Sequence, residues 1–250
     1  MILPVPFRLD AGLSLLTRSF EATPAEESLI LPGGIRYQSR WLPGVTVRSS
    51  LFPFASTDTL HIGGEVSYSY HKLEALRAPP RLFEDTGAQQ FQSLAGEDQR
   101  IRYRLKLIIP FATGARQHAF TIGGGGLWLS HQIAENDLYI GPSLSAFSLG
   151  TGLYLSAIPG LFSVQSQIAF VPVALFHEGA DEVGEAPTSR GALFDFSLKY
   201  NLSTSIFLQM GGAFLYLKQT PIGAGRGGRV VQDAEERSLR FELTLGYLKF

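Results

Sequence analysis

The sequence predicts an all-β fold, namely a transmembrane antiparallel up-and-down β-barrel of about ten strands, with twelve strands as the alternative. Apolar and polar residues alternate with a period of two in segment after segment, which is typical of strands with two different faces. Tight turns alternate with long polar connections along the chain. Only 17% of the 250 residues are charged, yet mean hydropathy is barely positive. A protein crossing a membrane with helices would be more apolar, since each span needs about 20 mostly apolar residues.

Two segments show the alternation most clearly. From Leu60 to Tyr70, apolar residues, tyrosine or glycine occupy the even positions, whereas the odd positions are polar or glycine. From 100 to 111, apolar residues occupy the odd positions, and four cations stand opposite them: Arg100, Arg102, Arg104 and Lys106. A strand places these cations in one row, whereas a helix would distribute them around its axis. The pattern therefore predicts strands.

The same period predicts ten strands along the chain. They span 6–17, 34–54, 59–72, 98–112, 116–131, 137–148, 152–176, 191–202, 204–218 and 237–250. Long polar connections cover 18–33, 73–97, 177–190 and 219–236, with a shorter one at 132–136. Tight turns are predicted near 56–58, 113–115 and 201–203, and the turn between the sixth and seventh strands falls either at 148–152 or at 157–160. We expect residues 1–250 to form one barrel domain.

The stretch from Leu138 to Phe176 carries no charge, so helical spans have to be considered for it. It contains Pro142, Pro159 and Pro172, which interrupt helices. Apolar and polar residues also alternate between 162 and 170. Strands therefore explain this stretch better than helices.

The end of the chain carries a resemblance to a broad class of proteins. Leu248 and Phe250 lie at the end of an amphipathic strand, and they resemble the terminal aromatic signal of bacterial outer-membrane barrel proteins. Leu245 and Tyr247 lie on the opposite phase, so the match requires a bulge or a local end effect. The similarity in strand architecture covers nearly the whole chain and is to small, porin-like barrels, without pointing to one family.

This resemblance implies a setting and partners. It implies a bacterial outer membrane, with short turns in the periplasm and long loops outside the cell. The implied partners are the barrel-assembly machinery, which would read Leu248 and Phe250, and the lipid and lipopolysaccharide of that membrane. Residues 1–6 do not resemble an export signal, so we expect that signal to have been removed.

Composition excludes several other classes of function. The chain has no cysteine, which excludes disulfides, thiol catalysis and cysteine-based metal sites. A formal net charge of -1 argues against a general nucleic-acid binder. We expect neither a cofactor nor a metal ion.

The charged residues, sorted by strand phase, predict a basic lumen. Ten cations fall on the lumen phase: Arg8, Arg36, Arg40, Arg48, Arg100, Arg102, Arg104, Lys106, Lys199 and Arg240. Four acids share that phase: Asp10, Glu65, Asp195 and Glu242. A basic sector is predicted from the second and fourth strands: Arg36, Arg40, Arg48, Arg100, Arg102, Arg104 and Lys106. Its predicted lumen partners are His61, Glu65, Asp195, Lys199, Arg240 and Glu242.

Two interpretations of the basic sector remain open. Unpaired cations would line a porin-like passage that favours small anionic solutes, as rings of Arg and Lys do in anion-selective pores. Alternatively the cations pair with lumen acids and fill a structural barrel, since barrels near eight strands have room only for side chains.

Two further classes are weaker alternatives. A hydrolase site at the extracellular rim would draw on residues near the ends of the long loops: His71, His131, His177, Asp98, Asp137, Glu178 and Ser130. Their spacing matches no known signature, so we expect no enzyme. A soluble barrel carrying an apolar ligand would have the inverse arrangement, with apolar residues inside.

Overall fold

The computed structural model is an antiparallel β-barrel that closes on itself. It describes residues 6–24, 35–39, 41–53, 60–77, 81–82, 89–90, 93–113, 116–133, 143–178, 185–222 and 231–249. The strands are β1 (Phe7–Pro24), β2 (Ile35–Ser39), β3 (Leu42–Leu51), β4 (His61–Arg77), β5 (Arg81–Leu82), β6 (Gln89–Gln90), β7 (Ser93–Thr113), β8 (Arg116–Ile133), β9 (Ser143–Ile158), β10 (Phe162–Glu178), β11 (Glu185–Asn201), β12 (Ile206–Ile222) and β13 (Val231–Lys249). The described residues contain no helix long and apolar enough to cross a membrane.

The wall of the barrel has ten strands. β2 and β3 both lie between β1 and β4, so they are two parts of one wall strand. The barrel closes where β1 pairs with β13, from Phe7 opposite Lys249 to Thr23 opposite Asp233. β5 and β6 form a separate two-stranded pair. The prediction of ten up-and-down antiparallel strands is therefore confirmed, and the alternative of twelve is not needed.

The turn between β9 and β10 lies at Pro159 and Gly160, so the alternative break at 148–152 is wrong. Gly160 has a φ of 73°, a left-handed conformation that glycine adopts without strain. The Leu161 amide donates to the Ile158 carbonyl over 3.0 Å. Residues 148–152 continue β9 instead, because their glycines pair regularly with β8 and β10.

Most strands run beyond their predicted ends on the long-loop side. β1 continues to Pro24 instead of 17, β7 begins at Ser93 instead of 98, and β13 begins at Val231 instead of 237. Outward residues in these extensions, such as Glu21 and Thr23 of β1, are exposed and polar. The alternation of apolar and polar residues is therefore lost there although the strand continues. For this reason the predicted strands ended too early.

Pro172 lies inside a wall strand, where its missing N–H interrupts the hydrogen-bond ladder. The register of β10 shifts by one residue against both of its neighbours at this point. Because of this bulge, Val171 and Ala174 are both buried in the lumen although they are three positions apart. The bulge accommodates the proline and keeps apolar side chains inside the barrel.

The outer face of the wall is an apolar belt. Leu13 and Leu105 are each 71% exposed, and large apolar residues are exposed on every wall strand. The buried residues on the alternate phase include Asp10, Glu65, Arg102 and many serines. This distribution is the inverse of a soluble barrel and matches a barrel whose apolar face contacts lipid.

We expect Leu105→Arg to reduce the free energy of unfolding by about 2–4 kcal/mol, because it places a charge near the middle of the hydrocarbon layer. Gln99→Arg is the control on the same strand, because it lies near the long-loop edge of the belt, where the expected loss is about 0–1 kcal/mol. Denaturant unfolding in phospholipid vesicles measures both. An equal loss of unfolding free energy in the two variants would contradict the assignment of the apolar belt to the lipid.

Candidate functional site: the charged lumen

The lumen gathers charged side chains from distant parts of the chain. Arg48 comes from β3, the row from Arg100 to Lys106 comes from β7, and Glu65 lies on β4 between them. Arg36 lies in β2 with a side chain outside the described part, and Arg40 falls outside the described residues. Nine basic and six acidic side chains of the described residues point inwards. The acids include Asp98 and Glu236, which the sequence analysis did not place in the lumen.

The central acids each contact two cations of β7. Glu65 pairs with Arg104 and accepts a hydrogen bond of 2.8 Å from Lys106 Nζ. Asp195 on β11 lies 2.7 Å from Arg102 Nη1 and 3.0 Å from Arg104 Nη1. Three wall strands separate β7 from β11, so the pairs of Asp195 cross the lumen.

A second group of ion pairs and hydrogen bonds links β3 and β4 to β13. Glu242 pairs with Arg48, and its other oxygen lies 3.5 Å from Arg240 Nη2. Arg240 also donates to the Ser69 hydroxyl over 2.8 Å. Four cations of the predicted basic sector therefore have carboxylate partners on other strands: Arg48, Arg102, Arg104 and Lys106.

A third cluster lies towards the long-loop end. The Arg18 and Glu236 side chains are fully buried and 2.8 Å apart. Asp98 contacts Arg100 at 2.6 Å, His131 at 3.3 Å and Arg18 at 3.9 Å. Sequence reasoning missed Arg18 and Glu236 because both lie beyond the predicted ends of their strands. Extending the predicted first strand by one residue would have placed Arg18 on its inward, even-numbered face.

An apolar sector fills the other side of the lumen. It consists of buried residues on β8 to β12: Leu127, Leu129, Leu144, Ala146, Ala169, Val171, Ala174, Leu193, Leu215 and Leu217. Alternation in the sequence could not assign these residues to the lumen, because their outward neighbours, such as Trp128 and Phe214, are apolar as well. The lumen is thus polar on one side and packed like a protein core on the other.

Phe207 lies inside the lumen near its turn end. Its ring is fully buried, with the Arg8 guanidinium 4.6 Å and the Lys199 ammonium 5.5 Å from its centroid. The ring lies against Gly246 of β13, where any side chain would collide with it. Both cations thus make cation–π contacts with a buried ring.

The predicted terminal signal is described only in part. Leu248 is buried, on the lumen phase of β13. The pairing of β13 with β1 runs from Lys249 to Asp233 without a register shift, so the bulge considered for the terminal match is not present there. Phe250 lies outside the described residues.

A cavity of about 40 Å³ remains among the ion pairs. Its lining includes four arginines and three acids: Arg8, Arg48, Arg104, Arg240, Glu65, Asp195 and Glu242. A buried water needs about 10–15 Å³ of such space, so the cavity has room for about three or four waters.

The rim-hydrolase candidates whose side chains are described are buried inside the barrel. His71 is buried, with its Nε2 2.9 Å from the Ser14 hydroxyl, and His131 is buried beside Asp98. Ser130 is buried as well. Asp137 falls outside the described residues, and only the backbone of His177 and Glu178 is described. His61 is buried near the turn end of β4. In the described part, no group of three or more His, Asp or Glu could hold a metal ion.

A closed ten-stranded barrel with an apolar outer face and a charged lumen defines the class of transmembrane outer-membrane β-barrels. No protein-family model and no curated protein sequence matches this chain.

Solved structures of outer-membrane barrels resemble it in fold alone. The outer membrane protease OmpT from Escherichia coli aligns with 99% of this chain and 98% of its own, at 9% identity and a TM-score of 0.44. An outer membrane channel from Pseudomonas putida F1 aligns with 97% of this chain and 96% of its own, at 10% identity and a TM-score of 0.39. Neisserial surface protein A aligns with 98% of this chain and 97% of its own, at 13% identity and a TM-score of 0.36.

We expect Asp98→Ala to reduce the free energy of unfolding by about 3–5 kcal/mol, because it leaves buried cations without their shared acid. The matched control is Glu235→Ala, which removes an acid from an exposed pair with Arg237 and has an expected loss below about 1 kcal/mol. Denaturant unfolding in vesicles compares the two variants. A loss at Asp98 no greater than at Glu235 would contradict the buried cluster.

Proposed function

We propose that this protein is an integral barrel of the bacterial outer membrane whose lumen is closed by its own side chains, so that it acts as a rigid support for its long loops. The observation that carries the proposal is the pairing of four basic-sector cations, Arg48, Arg102, Arg104 and Lys106, by acids from other strands. Glu65, Asp195 and Glu242 each contact two cations. Cations held in this way fill the lumen instead of lining a free passage.

The width of the barrel supports the same conclusion. A barrel of eight strands has room only for side chains, and ten strands are slightly wider. The added space is occupied by long arginines on one side and by the apolar sector on the other. Phe207 with Arg8 and Lys199 narrows the turn end.

The buried histidines favour a non-enzymatic role. A catalytic serine and histidine need a pocket that the substrate can enter. Ser14 and His71 contact each other, but both are buried inside the barrel. The partners that we propose are membrane lipid, lipopolysaccharide and the barrel-assembly machinery, which would read Leu248 and Phe250.

We expect the folded protein to give no stepwise current in a planar lipid bilayer in molar potassium chloride, because in the proposed closed barrel the ion pairs and the apolar sector fill the lumen. Heat-modifiable electrophoretic mobility of the same sample verifies that the barrel is folded. Reproducible steps of constant conductance from the unmodified protein would overturn the closed-barrel proposal.

A second candidate function is a porin-like passage for small anionic solutes. Two observations favour it: nine inward cations outnumber six inward acids among the described side chains, and the small cavity lies between them. In this candidate, the ion pairs rearrange to admit an anion.

If the lumen conducts, Arg102→Glu combined with Arg104→Glu should move the reversal potential from anion towards cation preference, because the net charge of the lumen around Asp195 falls by four units. Arg237→Glu is the control, since Arg237 faces outwards and is exposed. Reversal potentials in a salt gradient measure the preference. A conducting double variant with unaltered selectivity would rule out an anion path through this sector.

A further inference from the structure

Positive charge is in excess in the middle of the lumen. The ion pairs of this layer join five cations to only three carboxylates. The cations are Arg48, Arg102, Arg104, Lys106 and Arg240, and the carboxylates are those of Glu65, Asp195 and Glu242. Every one of these cations has a partner, but the partners are shared. Two positive charges of the layer therefore have no carboxylate of their own.

The acids at the two ends of the lumen do not remove this excess. Asp10 lies 3.9 Å from Arg48, but it also pairs with Arg8 at 2.8 Å, so counting both of them adds one charge of each sign. Towards the long loops, the cluster around Asp98 and Glu236 holds two arginines for these two acids. Since a buried charge without a partner is strongly destabilising, the excess favours binding of an anion from solution.

The cavity among the ion pairs lies beside this excess of charge. Its lining holds four arginines, Arg104 and Arg240 among them, and three carboxylates. The other lining side chains carry no charge, and the polar ones among them are Gln165, Gln167 and Ser197. The lining as a whole therefore carries one net positive charge.

Hydrogen-bond donors of the lining are left over by the ion pairs. The Arg240 Nε is buried and has no hydrogen-bond acceptor among the described residues. The Gln167 Oε1 accepts a hydrogen bond of 2.5 Å from Arg104 Nη1, which leaves the amide N–H groups of Gln167 to donate. A buried donor without an acceptor is costly, and guanidinium and amide N–H groups are donors for an anion. The cavity thus combines positive charge with available N–H groups.

Charge and size together specify the anion. A lining with one net positive charge is neutralised by one negative charge, whereas a divalent anion would be repelled by the three carboxylates. The cavity of about 40 Å³ has room for about three or four waters, so a large organic anion does not fit. A halide ion is little larger than a water molecule and leaves space for waters beside it.

We propose that the cavity holds one chloride ion, bound through Arg240 and Gln167, as a permanent part of the lumen. The inference rests on the closed lumen of the proposed function, in which the ion is held in place and does not pass through. It adds a ligand to that function, because the ion neutralises cations that the acids of the chain leave in excess.

The first test measures unfolding in phospholipid vesicles while sodium chloride replaces sodium gluconate at constant ionic strength. Gluconate is too large for the cavity, so only chloride can fill it. A ligand that binds only the folded state lowers the unfolding equilibrium constant by about tenfold for each tenfold rise in its concentration above the Kd. We expect this response from the unmodified protein.

Two variants show whether the response comes from the cavity. Arg240→Gln removes the net charge of the lining and the unpaired Nε, so we expect its stability not to depend on chloride. Lys199→Gln is the matched control, since Lys199 is also a partly buried lumen cation but does not line the cavity, and it should keep the tenfold response. An unmodified protein without the response, or equal responses of the two variants, would overturn the inference.

The second test needs only the unmodified protein, so it holds even if Arg240→Gln does not fold. Crystals grown in sodium bromide should show an anomalous scattering peak in the cavity, within hydrogen-bond distance of Arg240. A cavity without this peak would overturn the inference. Stepwise current together with a chloride response and a bromide peak would overturn only the closed lumen, whereas a silent barrel without either would overturn only the ion site.

Discussion

Buried charge in a narrow lumen has to be neutralised by opposite charge, much of it from other strands, and this constraint organises the interior of the barrel. Asp195 shows the arrangement, because it lies on β11 and binds Arg102 and Arg104 of β7. Removing one partner of a buried pair leaves an uncompensated charge, which is strongly destabilising. The cross-lumen pairs therefore tie distant strands together as well as filling the space between them.

The lipid outside imposes the complementary condition on the same strands. Every backbone N–H and C=O within the hydrocarbon layer has to be paired, which a closed sheet achieves without an exposed edge. The pairing of β1 with β13 removes that edge. Pro172 is tolerated because a bulge absorbs its missing donor. Since adjacent residues face opposite environments, an apolar belt and a charged lumen follow from one alternating pattern.

Most of the fold and part of the site could be predicted from the sequence. The row from Arg100 to Lys106 identified a strand with a charged face, and Glu65 and Asp195 fell on the lumen phase. Arg18 and Glu236 were missed because alternation disappears where strands extend past the lipid and both faces are polar. The apolar sector was missed for the opposite reason, since both faces of β12 around Leu215 are apolar.

The sequence by itself determined the strands, the inward and outward phases and the surplus of lumen cations, because these depend only on the period of two and on residue type. Only the tertiary structure decided which charges meet. Arg102 and Asp195 are separated by 93 positions, and their contact depends on barrel closure, strand number and the stagger between strands. No local pattern contains that information, so the sequence predicted a basic lumen while the fold revealed a lumen of ion pairs.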